Sequence, residues 1–190
     1  GDITAAFECS NCRTENYAFT YARSAALARG TLLDIIHKYK YNRALWFEPF
    51  LGELFARAAA PVLLCENWDM IVPVPLHPLR QAEREFNQAE TLGRRLGDRM
   101  ALPVMTACLD RVKPTESQTR LTRAQRAENV RTAFAFNPRA SQLVAGKRII
   151  VVDDVFTTGA TTNACARLLR KHGADAVCVW TLARGAYHQS

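Results

Sequence analysis

The run Ile149-Ile150-Val151-Val152-Asp153-Asp154-Val155-Phe156-Thr157-Thr158-Gly159-Ala160-Thr161-Thr162 leaves this chain few possible folds. Four β-branched residues in succession make a strand with no polar face, and only a sheet covered on both sides can bury one. Two carboxylates follow at its carboxyl end, then a turn of small, hydroxyl-bearing residues. A helix is predicted from about Ala160 to His172, with Ala160, Ala164 and Leu168 on one face and Gly173 as its stop. The apolar stretch 176–182 reads as a second strand. Strand, helix and strand in this order imply a right-handed parallel crossover. The fold class is therefore α/β, a parallel-rich sheet flanked by helices.

Each part of the run has a chemical use. Ligands of open α/β sheets sit outside the carboxyl ends of the strands. A helix start offers unpaired N–H groups and the positive end of the helix dipole, which suits a phosphate. Gly159 lets the backbone approach that phosphate closely. The hydroxyls of Thr157, Thr158, Thr161 and Thr162 can add donors. Asp153 and Asp154 can accept hydrogen bonds from vicinal ribose hydroxyls and help hold a hydrated Mg²⁺. The run lacks the Gly-Lys-Ser/Thr ending of a Walker P-loop and the Gly-x-Gly-x-x-Gly dinucleotide pattern.

Elsewhere the signals are plainer. Residues 21–60 read as helical in parts: Leu32, Leu33, Ile35, Ile36 and Tyr39 form a broad apolar face after a start at Gly30-Thr31, and a second helix covers 49–59. Met70-Ile71-Val72-Pro73-Val74 suits a buried strand ended by prolines. A helix is predicted over 85–100, with Phe86, Ala89, Leu92 and Leu96 at helical spacing. Residues 110–131 are polar and rich in Arg and Thr, as in a long mobile loop running into a short helix.

The 190 residues contain no apolar run of the roughly 18–20 residues a membrane span needs. The first residues lack the basic and apolar regions of a signal peptide, so the reading is soluble and cytoplasmic. Of six cysteines, Cys65, Cys108, Cys165 and Cys178 stand singly in apolar surroundings and read as buried thiols. Cys9 and Cys12 have zinc-ribbon spacing, but a closed site needs four ligands and no second pair lies near them. The net charge of +7 attracts nucleic acid or polyphosphate, and equally serves solubility.

The 149–162 run resembles the phosphoribosyl-pyrophosphate motif of type I phosphoribosyltransferases: an apolar strand, two acids, two apolar residues, Thr-Thr-Gly and a further Thr. Tyr39-Lys40-Tyr41, Pro73-Val74-Pro75-Leu76-His77, Arg84-Glu85-Phe86-Asn87-Gln88-Ala89 and Gln118-x-x-Leu121-x-x-x-x-Arg126-x-x-Asn129-x-x-x-Ala133-Phe134 extend the likeness. Together they resemble the ComF family of competence-associated, phosphoribosyltransferase-like proteins, from about Cys9 to Leu182.

The resemblance implies a type I phosphoribosyltransferase domain over 21–190, with its hood from the 21–60 region, behind a partial zinc-ribbon remnant over 1–20. It implies binding of phosphoribosyl pyrophosphate with Mg²⁺ and transfer of its phosphoribosyl group to an acceptor, with a link to DNA uptake. Asp153 and Asp154 would be the catalytic and Mg²⁺-associated acids. Val155, Phe156, Thr157, Thr158, Gly159, Ala160 and Thr161 would bind the substrate, with Pro73, Val74, Pro75, Leu76 and His77 as its pyrophosphate loop and Arg84 beside it. Family members often carry Gly where Glu85 stands. Arg120, Arg123 and Arg126 lie in the loop that would close over the pyrophosphate. An acid used by some purine-specific relatives is replaced by Thr157, which weighs against purine salvage. In the family the ribbon has two Cys pairs, of which Cys9 and Cys12 match the second. The rival reading is a non-catalytic nucleotide- or single-stranded-DNA-binding accessory protein of competence. Partners open to either reading are single-stranded DNA, competence or recombination proteins, and a second copy of the chain.

Overall fold

The computed structural model describes residues 16–84, 86–113 and 132–185. Four strands, β1 (Ala22–Ala28), β2 (Met70–Pro73), β5 (Arg148–Phe156) and β6 (Ala176–Gly185), form one parallel sheet in the order β1-β6-β5-β2. A parallel bridge from Ile71 to Val104 adds a fragment beyond β2. Two short strands, β3 (Leu109–Arg111) and β4 (Phe134–Phe136), pair antiparallel apart from it. The helices are α1 (Gly30–Tyr41), α2 (Glu48–Leu63), α3 (Pro78–Arg84), α4 (Gln88–Met100), α5 (Ser141–Val144) and α6 (Ala160–Lys171).

Strand alternation divides the interior into two cores. Ile149 and Val151 of β5 join Val177 and Val179 of β6, Cys165 and Leu169 of α6, and Leu109 and Phe134 of the small sheet. Ile150 and Val152 face the other way, onto Phe55, Ala59 and Leu63 of α2, Leu92 and Leu96 of α4, and Ile36 and Tyr39 of α1. Ile149, Ile150, Val151 and Val152 are all fully buried, as the unbroken β-branched run requires. The 21–60 region thus supplies the edge strand β1 together with helices α1 and α2 on the second core.

Several local expectations change. The 21–60 segment, read as helical in parts with a start at Gly30-Thr31, has that helix at Gly30–Tyr41 but opens with a strand, because β6 offers an open edge and β1 pairs along it from Ala22 opposite Val179. The helix expected over 85–100 starts at Gln88: the Asn87 side chain accepts from the Ala89 N–H at 3.0 Å and caps it, while Pro78–Arg84 is a separate helix. Part of the expected 110–131 loop is strand β3, and 114–131 falls outside the described residues. Leu33 is exposed instead of joining the α1 face. Cys65, read as buried, is exposed just past the end of α2, where its thiol donates to the Pro61 carbonyl at 3.3 Å. Cys9 and Cys12 lie outside the described residues. No helix among the described residues is long and apolar enough to cross a membrane.

Candidate functional site

The carboxyl ends of β2 and β5 are neighbours, with Pro73 opposite Val152. The Val74 N–H donates to the Val152 carbonyl at 2.9 Å, so pairing continues one residue past β2. There the chain turns through Pro75, Leu76 and His77, all half-buried, into α3. The His77 ring accepts the Leu79 N–H at 3.3 Å, and Asn87 donates to the Val74 carbonyl at 3.0 Å. Asn87 therefore ties the 74–77 turn to the start of α4.

β5 runs four residues beyond its apolar stretch, so both acids stand within the strand instead of after it. Strand geometry sends neighbouring side chains to opposite faces. Asp153 lies on the α6 side, where its charge acts on Cys165. Asp154 lies on the α1 side, in a 2.6 Å ion pair with Lys40, each side chain 17% exposed. Burial, then the Asp154 carboxylate, push the Asp153 carboxyl up to about 7, while the Asp154 N–H and the charges of Lys40 and Arg111 pull it down. That N–H donates to Asp153 Oδ1 at 2.8 Å. Val155 packs on the second core and Phe156 is buried in the first, so their side chains are structural.

Thr157 and Thr158 are exposed at the turn that follows. Gly159 has φ +78 and ψ 2 and precedes the first residue of α6. A Cβ there would fall 2.7 Å from Phe156 Cζ and 3.2 Å from Tyr17 Cε1, so the position excludes a side chain on both conformational and steric grounds. Ala160 and Thr161 open α6 and are half-buried. The Thr162 hydroxyl, expected as a donor to ligand, donates to the Gly159 carbonyl at 3.1 Å.

The structure thus gathers residues 73–77, Asp153, Asp154 and 157–161 at one end of the sheet. Arg84 ends α3, but its side chain, like that of Arg80, is outside the described atoms, as are Glu85, Arg120, Arg123 and Arg126. The Tyr39-Lys40-Tyr41 motif gives Lys40 no role by itself; the fold pairs Lys40 with Asp154. Tyr17 and Asn163 were missed. The Tyr17 hydroxyl donates to the Thr158 carbonyl at 2.9 Å, and Asn163 Oδ1 accepts the Ala18 N–H at 2.8 Å. No local pattern marks either residue, because their partners are more than a hundred positions away.

Among the described residues no group of three or more His, Cys, Asp or Glu is placed to cage a metal. The two acids offer hard oxygen donors of the kind Mg²⁺ prefers. They face apart across the strand, so they suit an ion carried chiefly by ligand oxygens and water.

Residues 52–189 match the family model of the phosphoribosyl transferase domain. Competence protein F of Haemophilus influenzae is 31% identical over 179 residues, which cover 93% of this chain and 78% of that protein. DNA utilization protein YhgH of Escherichia coli is 35% identical over 159 residues, 80% of this chain and 67% of the relative. Among solved structures, a purine phosphoribosyltransferase from Pyrococcus horikoshii is 20% identical with a TM-score of 0.44, covering 71% of this chain and 83% of that one. An allosteric regulatory enzyme of purine biosynthesis is 21% identical with a TM-score of 0.45, covering 70% of this chain and 25% of that one.

Proposed function

The chain belongs to the phosphoribosyl transferase domain family and, within it, to the ComF group of competence-associated members, and from that premise we propose that it binds phosphoribosyl pyrophosphate with Mg²⁺ and transfers the phosphoribosyl group. The observation that carries the reading is the pairing of Pro73 with Val152, which sets the 73–77 turn beside the acids and the 157–161 turn. The 5-phosphate would rest on the N–H groups and hydroxyls of 157–161, at the positive end of α6. The ribose hydroxyls would donate to Asp153 and Asp154, and the diphosphate would lie along 73–77. Bound Mg²⁺ would supply charge neutralisation on the diphosphate.

In the transfer, the bond from the anomeric carbon to the diphosphate oxygen breaks and pyrophosphate leaves with its electron pair. A nucleophile on the acceptor forms the new bond, and any proton it carries passes to solvent or to the released pyrophosphate. Positive charge grows on the sugar in between, and the Asp153 and Asp154 carboxylates oppose it electrostatically. Lys40 holds the Asp154 side chain in place through its ion pair. The relatives' names, competence protein F and DNA utilization protein, support a place for the chemistry in DNA uptake or use.

The test is a thermal melt. Millimolar phosphoribosyl pyrophosphate with Mg²⁺ should raise the melting temperature, since a ligand that binds only the folded state stabilises it by mass action. Asp153→Asn combined with Asp154→Asn should abolish the rise while the protein still folds. Unchanged melting of the wild type at millimolar ligand overturns the proposal.

A second reading, non-catalytic binding of single-stranded DNA, is favoured by one surface. Trp46 is 73% exposed and Phe50 52% exposed, on the same stretch as the exposed Lys38. Exposed aromatics near a cation in the chain suit base stacking.

A further inference from the structure

Residues 16–20 are strapped across the start of α6. The Tyr17 hydroxyl donates to the Thr158 carbonyl at 2.9 Å. The Ala18 N–H donates to Asn163 Oδ1 at 2.8 Å, in the first turn of the helix. Arg167 donates to the Asn16 carbonyl at 2.8 Å, and the Thr20 N–H and hydroxyl both donate to the Val177 carbonyl at 2.8 and 3.1 Å. The Tyr17 and Phe19 rings stack at 4.8 Å, and Phe19 meets Phe156 edge-on at 6.4 Å. The strap therefore holds the turn at its backbone, its helix and its aromatic floor.

The contact with Thr158 has a directional consequence. In a planar trans peptide the carbonyl and the N–H point opposite ways. With the Thr158 carbonyl turned to Tyr17, the N–H of Gly159 is turned to the other side of the turn. At φ +78 and ψ 2, Gly159 has the angles of the third residue of a type II turn. The type I alternative differs mainly by turning over the peptide between the second and third residues, here Thr158 and Gly159, and glycine tolerates both forms. A turned-over peptide would present a carbonyl oxygen to an incoming phosphate, where repulsion replaces a hydrogen bond.

We infer that Tyr17 is a positioning residue that fixes the 158–159 peptide so that the Gly159 N–H, and not the Thr158 carbonyl, faces the phosphate. This rests on the reading of 157–161 as the seat of the 5-phosphate. Affinity at that seat then depends on a segment ahead of the domain's first strand, which touches no ligand itself.

The test compares Tyr17→Phe with the wild type in calorimetric titrations with ribose 5-phosphate and, separately, inorganic pyrophosphate, both with Mg²⁺. The variant keeps the ring stack on Phe19 and removes one oxygen. Ribose 5-phosphate should bind about five- to tenfold more weakly, the value of one lost hydrogen bond. Pyrophosphate, which needs only the 73–77 turn, should bind unchanged, and the melting temperature without ligand should hold. The Gly159 amide resonance should shift on adding ribose 5-phosphate to the wild type and lose most of that shift in the variant. Unchanged ribose 5-phosphate affinity in the variant overturns the inference. So does an equal loss for both ligands with a lowered melting temperature, which would make the contact merely structural. A wild type that binds pyrophosphate but not ribose 5-phosphate instead removes the reading of the phosphate seat beneath it.

Discussion

A carboxylate that accepts hydrogen bonds from a sugar diol must be ionised, and Asp153 resists ionisation. Burial and the neighbouring Asp154 hold its proton up to about 7, against an ordinary value of 3.8. The folded chain therefore keeps a proton that the unfolded chain releases between about pH 4 and pH 7. Stability from this residue is present below that window and falls as pH rises through it. Asp153→Asn is neutral throughout, so its stability relative to the wild type should improve from about pH 5 to about pH 8 in paired urea melts. Ligand binding should run the other way. Wild-type affinity for phosphoribosyl pyrophosphate should rise across the same interval, and the Asn variant should show a flatter profile. A wild-type affinity that is flat or falls with pH would mean that Asp153 does not meet the ribose as an anion.

At the level of elements, tight backbone approaches decide outcomes that propensity alone would misjudge. Gly97 sits inside α4, where alanine is normally better by about 1 kcal/mol. A Cβ at Gly97 would fall 2.7 Å from Val104 Cγ2 and 2.9 Å from the Leu102 carbonyl oxygen. The backbone oxygen cannot rotate away, so overpacking of about 1–3 kcal/mol wins. Gly97→Ala should lower unfolding free energy by up to about 2 kcal/mol in urea titration, and a stabilised variant would show that α4 can shift off the 102–104 segment. The same contrast explains what was legible. The central strands and α6 could be read because residues 149–152 and the 176–182 stretch carry their burial in their own side chains. β1 could not, since Ala-Arg-Ser-Ala-Ala-Leu-Ala has no strand signature and is recruited by pairing to β6. β3 likewise exists through Phe134–Phe136, and Lys40 reaches Asp154 only once α1 is docked. The motif singles out the 157–162 turn and the acids as candidates, but not that the acids face apart or what holds the turn.

For the molecule as a whole, a net charge of +7 favours contact with any polyanion. If the second reading holds, single-stranded DNA should bind weakly and without sequence preference. Counterion release makes each phosphate contact salt-sensitive, so three to four contacts imply a loss of about twenty- to fiftyfold between about 50 and 200 mM salt. Trp46→Ala should weaken binding at every salt concentration without changing that slope, because stacking carries no counterions. Fluorescence anisotropy with an oligonucleotide reads both effects. Absence of binding at low salt would assign the charge to the phosphorylated substrate or to solubility, and the link to DNA would then run through a protein partner.

Among the four strands of the main sheet, the first to be synthesised pairs with the last. β1 leaves the ribosome about 150 residues before the neighbour it needs, from Val179 onward, has been made. Such a high contact order slows folding and defers it until β6 is available. Until then β1 and the inner edge of β5 are both open to pairing with other chains. A nascent chain arrested before β6 would thus be an aggregation hazard, and recognising such interrupted products falls to chaperones and proteases.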